Sequence, residues 1–362
     1  MPLEPTQYQR LWEPARYRRP TTVALARDGF VAVIVRSAVA GEERVLLIRP
    51  SGQRNMLPPI PNDLIGRHIR SYTLTSDGRK TYAGGRLQDI VLTDEGKVIV
   101  TFAFPFSGGF GGLAEASYAW EGRAWFDVLP SANARVSTNT WVAAASRSST
   151  AFVTDALDQS PAWIGTEEAA GADVSAAVIL LRNGAIVPLG HGVATDLADG
   201  FTSGYDTGFR ISAQGSLNNG KPQAILWSGM RQESLGQGVA WSVGHGGVVV
   251  GDDRASSTAW GNPTCWSNRR WTRLSPRRGS AFAINATGVI VGTYEQGGFV
   301  ALLGCRSNAA QSLDGLLRDR RWHIRSAYRI STNGTILALG SRAGSALSLV
   351  LLKPVATVRS TR

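Results

Sequence analysis

The stretch "SAFAINATGVIVGTYEQGGFVALLG", residues 280–304, contains the pattern that decides the fold. Small and bulky apolar residues alternate with a period of two up to Asn285, the turn sequence "ATG" follows, and a second apolar run ends at Gly292. Alternation on both sides of a glycine-containing turn is typical of an antiparallel β-hairpin. We therefore predict a hairpin in this stretch.

The same hairpin signal returns along the chain. It occurs in "TVALARDGFVAV" (22–33), "DIVLTDEGKVIV" (89–100), "GVATDLADGFTSG" (192–204), "GVAWSVGHGGVVVG" (238–251) and "SAYRISTNGTILALG" (326–340). A second phrase follows, as in "AILWSGMRQESLG" from Ala224 or "TCWSNRRWTRL" from Thr264, with an apolar strand, a turn and a closing Leu. One repeat is therefore two hairpins, or four short antiparallel strands.

The spacing of the turn residues predicts the architecture. The turn glycines Gly200, Gly247, Gly288 and Gly334 are spaced by 47, 41 and 46 residues. A four-stranded unit of roughly 40 to 50 residues is the size of a propeller blade. We predict an all-β fold, a single β-propeller of four-stranded antiparallel blades. Counting back gives starts near Gly29, Gly96 and Asn139, which favours seven blades, and an extra copy of the signal at residues 68–78 leaves six or eight open.

These residues also carry a family resemblance. The pattern A-x-x-I-N-x-x-G-x-I-V-G, followed by A-x-L-W-x-x-G-x-x-x-x-L-G, resembles the HAF-type repeat of bacterial proteins. The likeness is good over residues 190–353 and loose over residues 20–190. It implies a β-propeller, often exported, and transfers no catalytic residue to this chain. The chain departs from the pattern where the glycine or tryptophan is replaced, at Val33, Val100, Arg182, Leu303 and Ala338.

A continuous ring of blades predicts one domain. We assign residues 21–355 to the propeller, 1–20 to an N-terminal tail and 356–362 to a C-terminal tail. No apolar run approaches the ~20 residues that a membrane helix needs, and no secretory signal can be recognised. We expect a soluble monomer without a membrane span, located in the cytoplasm or, after processing, outside the cell.

Motifs of known chemistry are missing from the sequence. It contains no nucleophile elbow, zinc-protease helix, P-loop or calcium loop. We interpret Asp252 and Asp253 as acidic residues of a surface turn rather than as an acid–base pair. Cys265 and Cys305 stand at different points of consecutive repeats, which favours free thiols over a disulfide. We predict no catalytic residue, no metal site and no cofactor.

Positive charge is the feature that exceeds the needs of the fold. The chain has a formal net charge of +11, a pI near 10.2 and 38 basic residues, of which only Lys80, Lys97, Lys221 and Lys353 are lysines. An arginine-favouring genome would produce the same skew without any partner. The distribution of the arginines is therefore more informative than their number.

The predicted blades place several arginines on one face. Loops between second and third strands share a face of the ring with the links between blades, whereas Arg269 and Arg270 belong to the opposite face. Arginine is a permanently charged planar fork for phosphate, sulfate or carboxylate, and a nearby tryptophan can stack on a ring. The predicted binding residues are Arg254, Arg277, Arg278, Arg320, Arg321, Trp322 and Arg342.

These observations favour a non-enzymatic interaction propeller. Its loop-built, partly basic face would bind a protein or an anionic polymer, either a polysaccharide or a nucleic acid without sequence specificity. The alternative is a propeller enzyme, a hydrolase or a lyase, whose polar groups gather from several blades at the central funnel. A third reading leaves the arginines as solvated surface residues.

Overall fold

The structure, a computed structural model, consists of four-stranded antiparallel sheets that follow one another along the chain. Seven such sheets and two separate two-stranded hairpins are present among the described residues. This confirms the predicted class, an all-β propeller with four-stranded antiparallel blades. The structure describes residues 3–7, 23–26, 28–36, 43–65, 73–74, 80–81, 85–93, 96–105, 113–128, 140–145, 149–155, 175–181, 186–198, 201–206, 209–211, 217–219, 221–229, 231–254, 260–302, 304–343 and 345–355.

The first half of the chain contains the first three blades. Strand β1 (Leu3–Gln7) precedes them. Blade 1 contains β2 (Val23–Leu25), β3 (Val31–Arg36), β4 (Glu43–Ile48) and β5 (Arg54–Met56). A short helix α1 (Asn62–Ile65) and the hairpin β6 (Thr73–Leu74) and β7 (Lys80–Thr81) follow. Blade 2 contains β8 (Arg86–Leu92), β9 (Val98–Pro105), β10 (Leu113–Trp120) and β11 (Trp125–Asp127). Blade 3 contains β12 (Thr140–Ala145), β13 (Ser149–Asp155), β14 (Ser175–Leu181) and β15 (Ile186–His191).

The second half contains four more blades. Blade 4 contains β16 (Val193–Ala198), β17 (Phe201–Asp206), an inserted hairpin of β18 (Phe209–Ile211) and β19 (Leu217–Asn219), then β20 (Gln223–Ser228) and β21 (Arg231–Gln237). Blade 5 contains β22 (Val239–Val243), β23 (Val249–Asp252), β24 (Pro263–Ser267) and β25 (Arg270–Arg273). Blade 6 contains β26 (Gly279–Ile284), β27 (Ile290–Tyr294), β28 (Gly297–Ala301) and β29 (Gln311–Ser312). Blade 7 contains β30 (Trp322–Ile330), β31 (Ile336–Arg342) and β32 (Ser348–Pro354). Two 3₁₀ turns occupy His245–Gly247 and Asp314–Leu316.

The first strand of each blade lies on the inside of the ring. Each of these strands contacts the first strand of the next blade, from β2 through β8, β12, β16, β22 and β26 to β30, and β30 contacts β2 again. The ring is therefore closed. Strand β1 pairs antiparallel with β32, with Leu3 opposite Pro354 and Gln7 opposite Val350. Part of the segment that the sequence assigned to an N-terminal tail is thus the outermost strand of blade 7, and residues 356–362 lie outside the described residues.

The structure shows where two of the irregular sequence signals lie in the ring. The extra signal at residues 68–78 overlaps the β6–β7 hairpin, which lies in the link between blades 1 and 2 and forms a sheet of its own. In blade 3, the first strand β12 begins at Thr140, next to the start that counting back places near Asn139. The signal at residues 68–78 therefore adds no blade.

The asparagine and the glycines of the repeated phrase have separate roles. The Asn285 Oδ1 atom accepts hydrogen bonds from the Thr287 hydroxyl at 2.8 Å and the Val289 N–H at 2.9 Å, and its Nδ2 atom donates to the Ser331 carbonyl of blade 7 at 3.0 Å. A Cβ atom on Gly292 would overlap the Ser280 carbonyl oxygen and lie 2.7 Å from the Phe299 ring. The phrase therefore repeats because it closes a turn, joins adjacent blades and lets two strands approach closely.

The cysteines correct one expectation from the sequence. Cys265 of β24 and Cys305, which follows β28, form a disulfide with their Cα atoms 5.3 Å apart. Their places in the repeat differ, but the loop after β28 folds back onto blade 5, where the Asn308 N–H donates to the Arg273 carbonyl at 3.2 Å. This return brings Cys305 to the neighbouring blade, so the prediction of two free thiols was wrong.

The helical content is small. Within the described ranges, no helix is long and apolar enough to cross a membrane.

Candidate binding site

The links between blades and the loops between second and third strands meet on one face of the ring, which we call the link face. Between blades 6 and 7, the Ala343 N–H donates to the Arg321 carbonyl at 2.8 Å. The Nη2 atom of Arg342, the last residue of β31, lies 3.3 Å from the Asp319 Oδ2 atom of the link. These contacts place residues that are distant in sequence side by side, as the predicted strand order requires.

A first cavity of about 530 Å³ opens on the link face beside blade 7. It brings together four of the predicted binding residues, Arg320, Arg321, Trp322 and Arg342. The remaining lining residues are Asp314, Gly315, His323, Ser341, Ala343 and Ser345. We call this the first cavity.

The arginines of the first cavity are held by neighbouring oxygen atoms. Arg321 donates from Nε and Nη2 to the two carboxylate oxygens of Asp319, at 2.9 and 3.0 Å. The Arg321 side chain and then its backbone N–H hold the pKa of Asp319 below its usual value. Arg320 donates from Nη1 to the carbonyls of Asp314 and Gly315, at 3.1 and 2.9 Å. The guanidinium groups are therefore oriented, and Asp319 offsets part of their charge.

Trp322 does not fit its predicted role. Only 6% of its surface is exposed, and it belongs to the apolar core that includes Leu313, Leu317 and Ile324. The ring lines the first cavity from within the protein, so it is not an exposed platform for stacking. Trp322 is buried because it begins an innermost strand and packs into the core. The sequence did not indicate this, because Trp322 stands between two arginines and His323.

Arg254 is also used within the protein. It donates from Nε and Nη2 to the two Asp252 oxygens, at 2.5 and 2.7 Å, and its guanidinium lies 5.5 Å from the centre of the Trp241 ring. Asp252 is fully buried and also accepts hydrogen bonds from Trp241 Nε1 at 2.9 Å and Ser280 Oγ at 2.7 Å. The interpretation of Asp252 as a surface turn residue was therefore wrong, and Arg254 is its main charged partner.

A second cavity of about 860 Å³ adjoins the first and shares His323 and Ser341 with it. Of the predicted residues, Arg278 lines it, and the neighbouring Arg277 lies 5.4 Å from the centre of the Tyr294 ring, which also lines it. Arg277 also donates to the side chain of Gln296. The other lining residues are Trp260, Phe282, Thr293, Glu295, Gln296, Gly297, Arg325, Ser326, Tyr328, Leu339 and Leu347. We call this the second cavity.

Sequence reasoning missed the centre of this region. His323 stands between the two cavities, and its Nδ1 atom lies 2.7 Å from Asp314 Oδ2, while Asp314 Oδ1 accepts the Ile324 N–H at 2.7 Å. Arg325, Phe282 and Tyr328 also line the second cavity. The available signal was an aromatic residue after Ala in the innermost strands, in "AFAI" and "AYRI".

Structural comparisons identify the fold class. The β-propeller domain of the Trilobed protease from Pyrococcus furiosus, described as having an open velcro topology, matches with a TM-score of 0.55 at 8% identity, covering 93% of this chain and 97% of that chain. The acylaminoacyl peptidase of Pyrococcus horikoshii matches with a TM-score of 0.53 at 10% identity, and this chain aligns with 50% of that protein's length. At such identities the likeness shows the propeller fold alone.

No protein-family model and no curated protein sequence matches the chain. The resemblance to HAF-type repeats therefore stays a prediction based on the hairpin residues.

Proposed function

We propose that this protein is a non-enzymatic propeller that binds an anionic polymer on its link face. The observation that carries the proposal is the pair of adjoining cavities. Their linings contain five arginines, Arg278, Arg320, Arg321, Arg325 and Arg342, against the carboxylates of Asp314 and Glu295. Three positive charges are therefore in excess around the cavities, and two remain when Asp319, the partner of Arg321 and Arg342, is included.

The arrangement favours an extended ligand. A polymer that crosses both cavities would contact guanidinium groups from the link between blades 6 and 7, from the end of β31 and from the link between blades 5 and 6. Binding would then release counterions and weaken with salt. Because the Arg320 and Arg321 side chains are already oriented by Asp314, Gly315 and Asp319, less conformational entropy is lost when an anion binds.

The disulfide bears on the compartment in which the protein would bind its ligand. Disulfides persist in oxidising compartments and are rare where thiols are kept reduced. The Cys265–Cys305 bond therefore favours a protein that meets its ligand outside the reducing cytosol.

The test compares two double variants with the same change in net charge. Arg320→Ser with Arg321→Ser removes two cations from the first cavity. Arg231→Ser with Arg270→Ser removes two exposed arginines that begin β21 and β25, at the opposite face of the ring. We expect the first pair to weaken the binding of fluorescent heparin about tenfold at low salt, and to reduce the slope of log affinity against log salt by roughly 2. The control pair should change both quantities little.

Equal losses of affinity in the two double variants would assign heparin binding to net charge and reject the link face. Absence of heparin binding by the wild-type protein would reject the proposed function itself.

The pairing of His323 with Asp314 supports a second candidate, a hydrolase or lyase. A hydrogen bond from His323 Nδ1–H to Asp314 would leave Nε2 as a proton acceptor at the junction of the two cavities. Incubation of the protein with anionic polysaccharides, followed by assays for new reducing ends and for conjugated double bonds, separates the candidates. Product that disappears in His323→Gln would replace the binding proposal by the enzymatic one.

A further inference from the structure

The innermost strands of blades 5, 6 and 7 share one irregularity. In each strand the pairing register shifts by one residue after an alanine, so that Trp241, Phe282 and Tyr328 are each the extra residue of a β-bulge. A β-bulge of this kind re-aims the side chain of the extra residue. Three consecutive blades therefore redirect an aromatic side chain at the same position.

The three side chains form one contiguous group, which we call the aromatic row. The centre of the Phe282 ring lies 6.2 Å from that of Trp241 in an edge-on arrangement, and 5.8 Å from that of Tyr328 with 27° between the ring planes. All three residues are half-buried, so each keeps part of its surface accessible. Such surface suits the apolar face of a ring-shaped ligand.

The second cavity opens beside this row. Phe282 and Tyr328 contribute to its lining, and Trp260, 53% exposed, contributes a further aromatic ring. Its volume of about 860 Å³ lies within the range of roughly 300 to 1,000 Å³ that is common for small-molecule sites. The space is large enough for more than one sugar-sized ring.

Two guanidinium groups of this cavity make no hydrogen bond or ion pair with the described residues. The side chains of Arg278 and Arg325 are exposed, and neither makes a hydrogen bond or ion pair within the described part of the chain. This separates them from Arg254 and Arg321, whose guanidinium groups bind carboxylates. Arg278 and Arg325 are therefore available to an anionic group of a ligand, and their planar forks suit a carboxylate.

Polar groups in the same lining limit how densely charged the ligand is. The Glu295 N–H donates to the Arg278 carbonyl at 3.0 Å, so an exposed carboxylate side chain stands beside one of the two available arginines. A chain with a phosphate on every unit would be repelled by Glu295. A hydroxyl-rich ring would instead donate to this carboxylate and exchange hydrogen bonds with Ser341 and Gln296.

We propose that the second cavity binds a uronic-acid unit of an acidic polysaccharide, with its ring against Phe282 and Tyr328 and its carboxylate at Arg278 and Arg325. This inference rests on the proposed function, because it names the ligand class for one of the two cavities. It predicts selectivity for a carboxylated sugar, which anion binding at the first cavity does not require.

The test uses short ligands, which limits contributions from the rest of the surface. The probes are a fluorescent galacturonic-acid hexamer, its carboxyl-reduced neutral counterpart, inorganic polyphosphate and a single-stranded oligonucleotide. We expect the wild-type protein to prefer the galacturonic-acid hexamer over each other probe by about tenfold or more, since the reduced sugar lacks the carboxylate and the other two lack the sugar acid.

Two variants separate the two halves of the site. Arg278→Gln with Arg325→Gln should weaken the hexamer about tenfold and leave the weak binding of the neutral sugar unchanged. Tyr328→Leu should weaken both sugars by about fivefold or more and change polyphosphate binding by less than about twofold, because stacking surface is lost and charge is kept. Circular dichroism of each variant checks that the sheet structure is retained.

The outcomes distinguish the two proposals. If heparin binding depends on Arg320 and Arg321 but the hexamer is not preferred, or is insensitive to Arg278, Arg325 and Tyr328, the uronate site is wrong and the proposed function stands. Stronger binding of the oligonucleotide than of the hexamer would assign the cavity to a nucleic acid and overturn the uronate proposal. If wild-type protein binds neither heparin nor the hexamer, both proposals fail.

Discussion

Thr195 of blade 4 and Phe282 of blade 6 occupy the same bulge of an innermost strand, yet they do different work. The register shift after Ala194 makes Thr195 the extra residue of a β-bulge, as the shift after Ala281 does for Phe282. Thr195 is buried, and its hydroxyl donates to the Ala240 carbonyl of blade 5 at 2.8 Å. Phe282 contacts two other aromatic rings and lines the second cavity.

The difference shows that equivalent positions of a repeated backbone can be used for different contacts. The bulge is present in both blades, so the fold supplies a redirected side chain whatever its chemistry. The hydroxyl of Thr195 then hydrogen-bonds to the next blade, whereas the ring of Phe282 contacts other aromatic rings and lines a cavity. The repeat determines the position of the side chain, and the individual residue determines which contacts that side chain makes.

The boundary between blades 5 and 6 contains a buried charge, whereas the boundary between blades 4 and 5 contains a neutral hydroxyl. The largest expected loss of stability therefore comes from a change at the first of these boundaries. Blades 5 and 6 are joined through Asp252, a fully buried carboxylate that accepts from Ser280, Trp241 and Arg254. Asp252→Ala leaves Arg254 without its carboxylate and two donors without an acceptor, so we expect a loss of about 3 to 5 kcal/mol in the free energy of unfolding. Urea denaturation followed by tryptophan fluorescence measures it.

Thr195→Val is the matched change at the boundary between blades 4 and 5. It keeps the shape of the side chain and removes the hydrogen bonds to the Ala240 carbonyl and the Ser203 hydroxyl, for an expected loss of about 1 to 2 kcal/mol. A loss for Asp252→Ala no larger than that for Thr195→Val would contradict the distinction between a charged and a neutral boundary.

The disulfide should give the next largest effect, because it joins the same two blades covalently. Cys265 and Cys305 are separated by 40 positions in the chain, and closing a loop of this size restricts the unfolded chain. We expect Cys265→Ala with Cys305→Ala to lower the free energy of unfolding by about 2 to 4 kcal/mol. Mass spectrometry of the wild-type protein should show two hydrogens fewer than the reduced chain.

Reductant provides the control for this prediction. It should destabilise the wild-type protein and leave the double variant unchanged. A wild-type chain with two free thiols by mass would show that blades 5 and 6 are held together by non-covalent contacts alone.

The fold was accessible from the sequence because its signals are local. The alternation, the Asn285 turn and Gly292 each report on neighbours within one hairpin or across two adjacent strands. Strand order also decides which loops and links share a side of the ring, and Arg320, Arg321 and Arg342 line one cavity together.

The contacts of individual side chains could not be predicted from the sequence in this way. Arg254 and Asp252 neutralise each other, and Asp252 is completed by Ser280 of the next blade. Cys305 reaches blade 5 through a loop that the repeat pattern does not contain. Each bulge adds one residue to the period-two alternation, so the sequence pattern does not predict which way the side chains of Phe282 and Tyr328 point. Each of these features depends on packing between blades, whereas periodicity describes one strand at a time.

The smallest expected effect concerns Tyr328, the aromatic row's only ionisable member. Burial raises the pKa of its phenol above the ordinary value of 10.0, although a hydrogen bond with Ser326 and the charge of Arg325 oppose the rise. Well below pH 10 the phenol is neutral in both the folded and the unfolded chain, and it makes no pH-dependent contribution. As the pH approaches 10, the phenol ionises first in the unfolded chain, so the free energy of unfolding falls as the pH rises towards the folded pKa.

Tyr328→Phe has no phenol to ionise and should remove this part of the alkaline destabilisation. Urea denaturation of both proteins between pH 8 and 11 measures the difference. We expect the stability gap between wild type and variant to shift in favour of Tyr328→Phe as the pH approaches and passes 10, by roughly 1 kcal/mol or less. Thr195→Val, which changes the corresponding position without an ionisable group, should show the same pH dependence as the wild type.

A gap that stays constant up to pH 11 would mean that the Tyr328 phenol is as well solvated in the folded protein as in the unfolded chain. The aromatic row would then be more open to water than its half-buried geometry indicates, and a sugar ring would gain less by covering it.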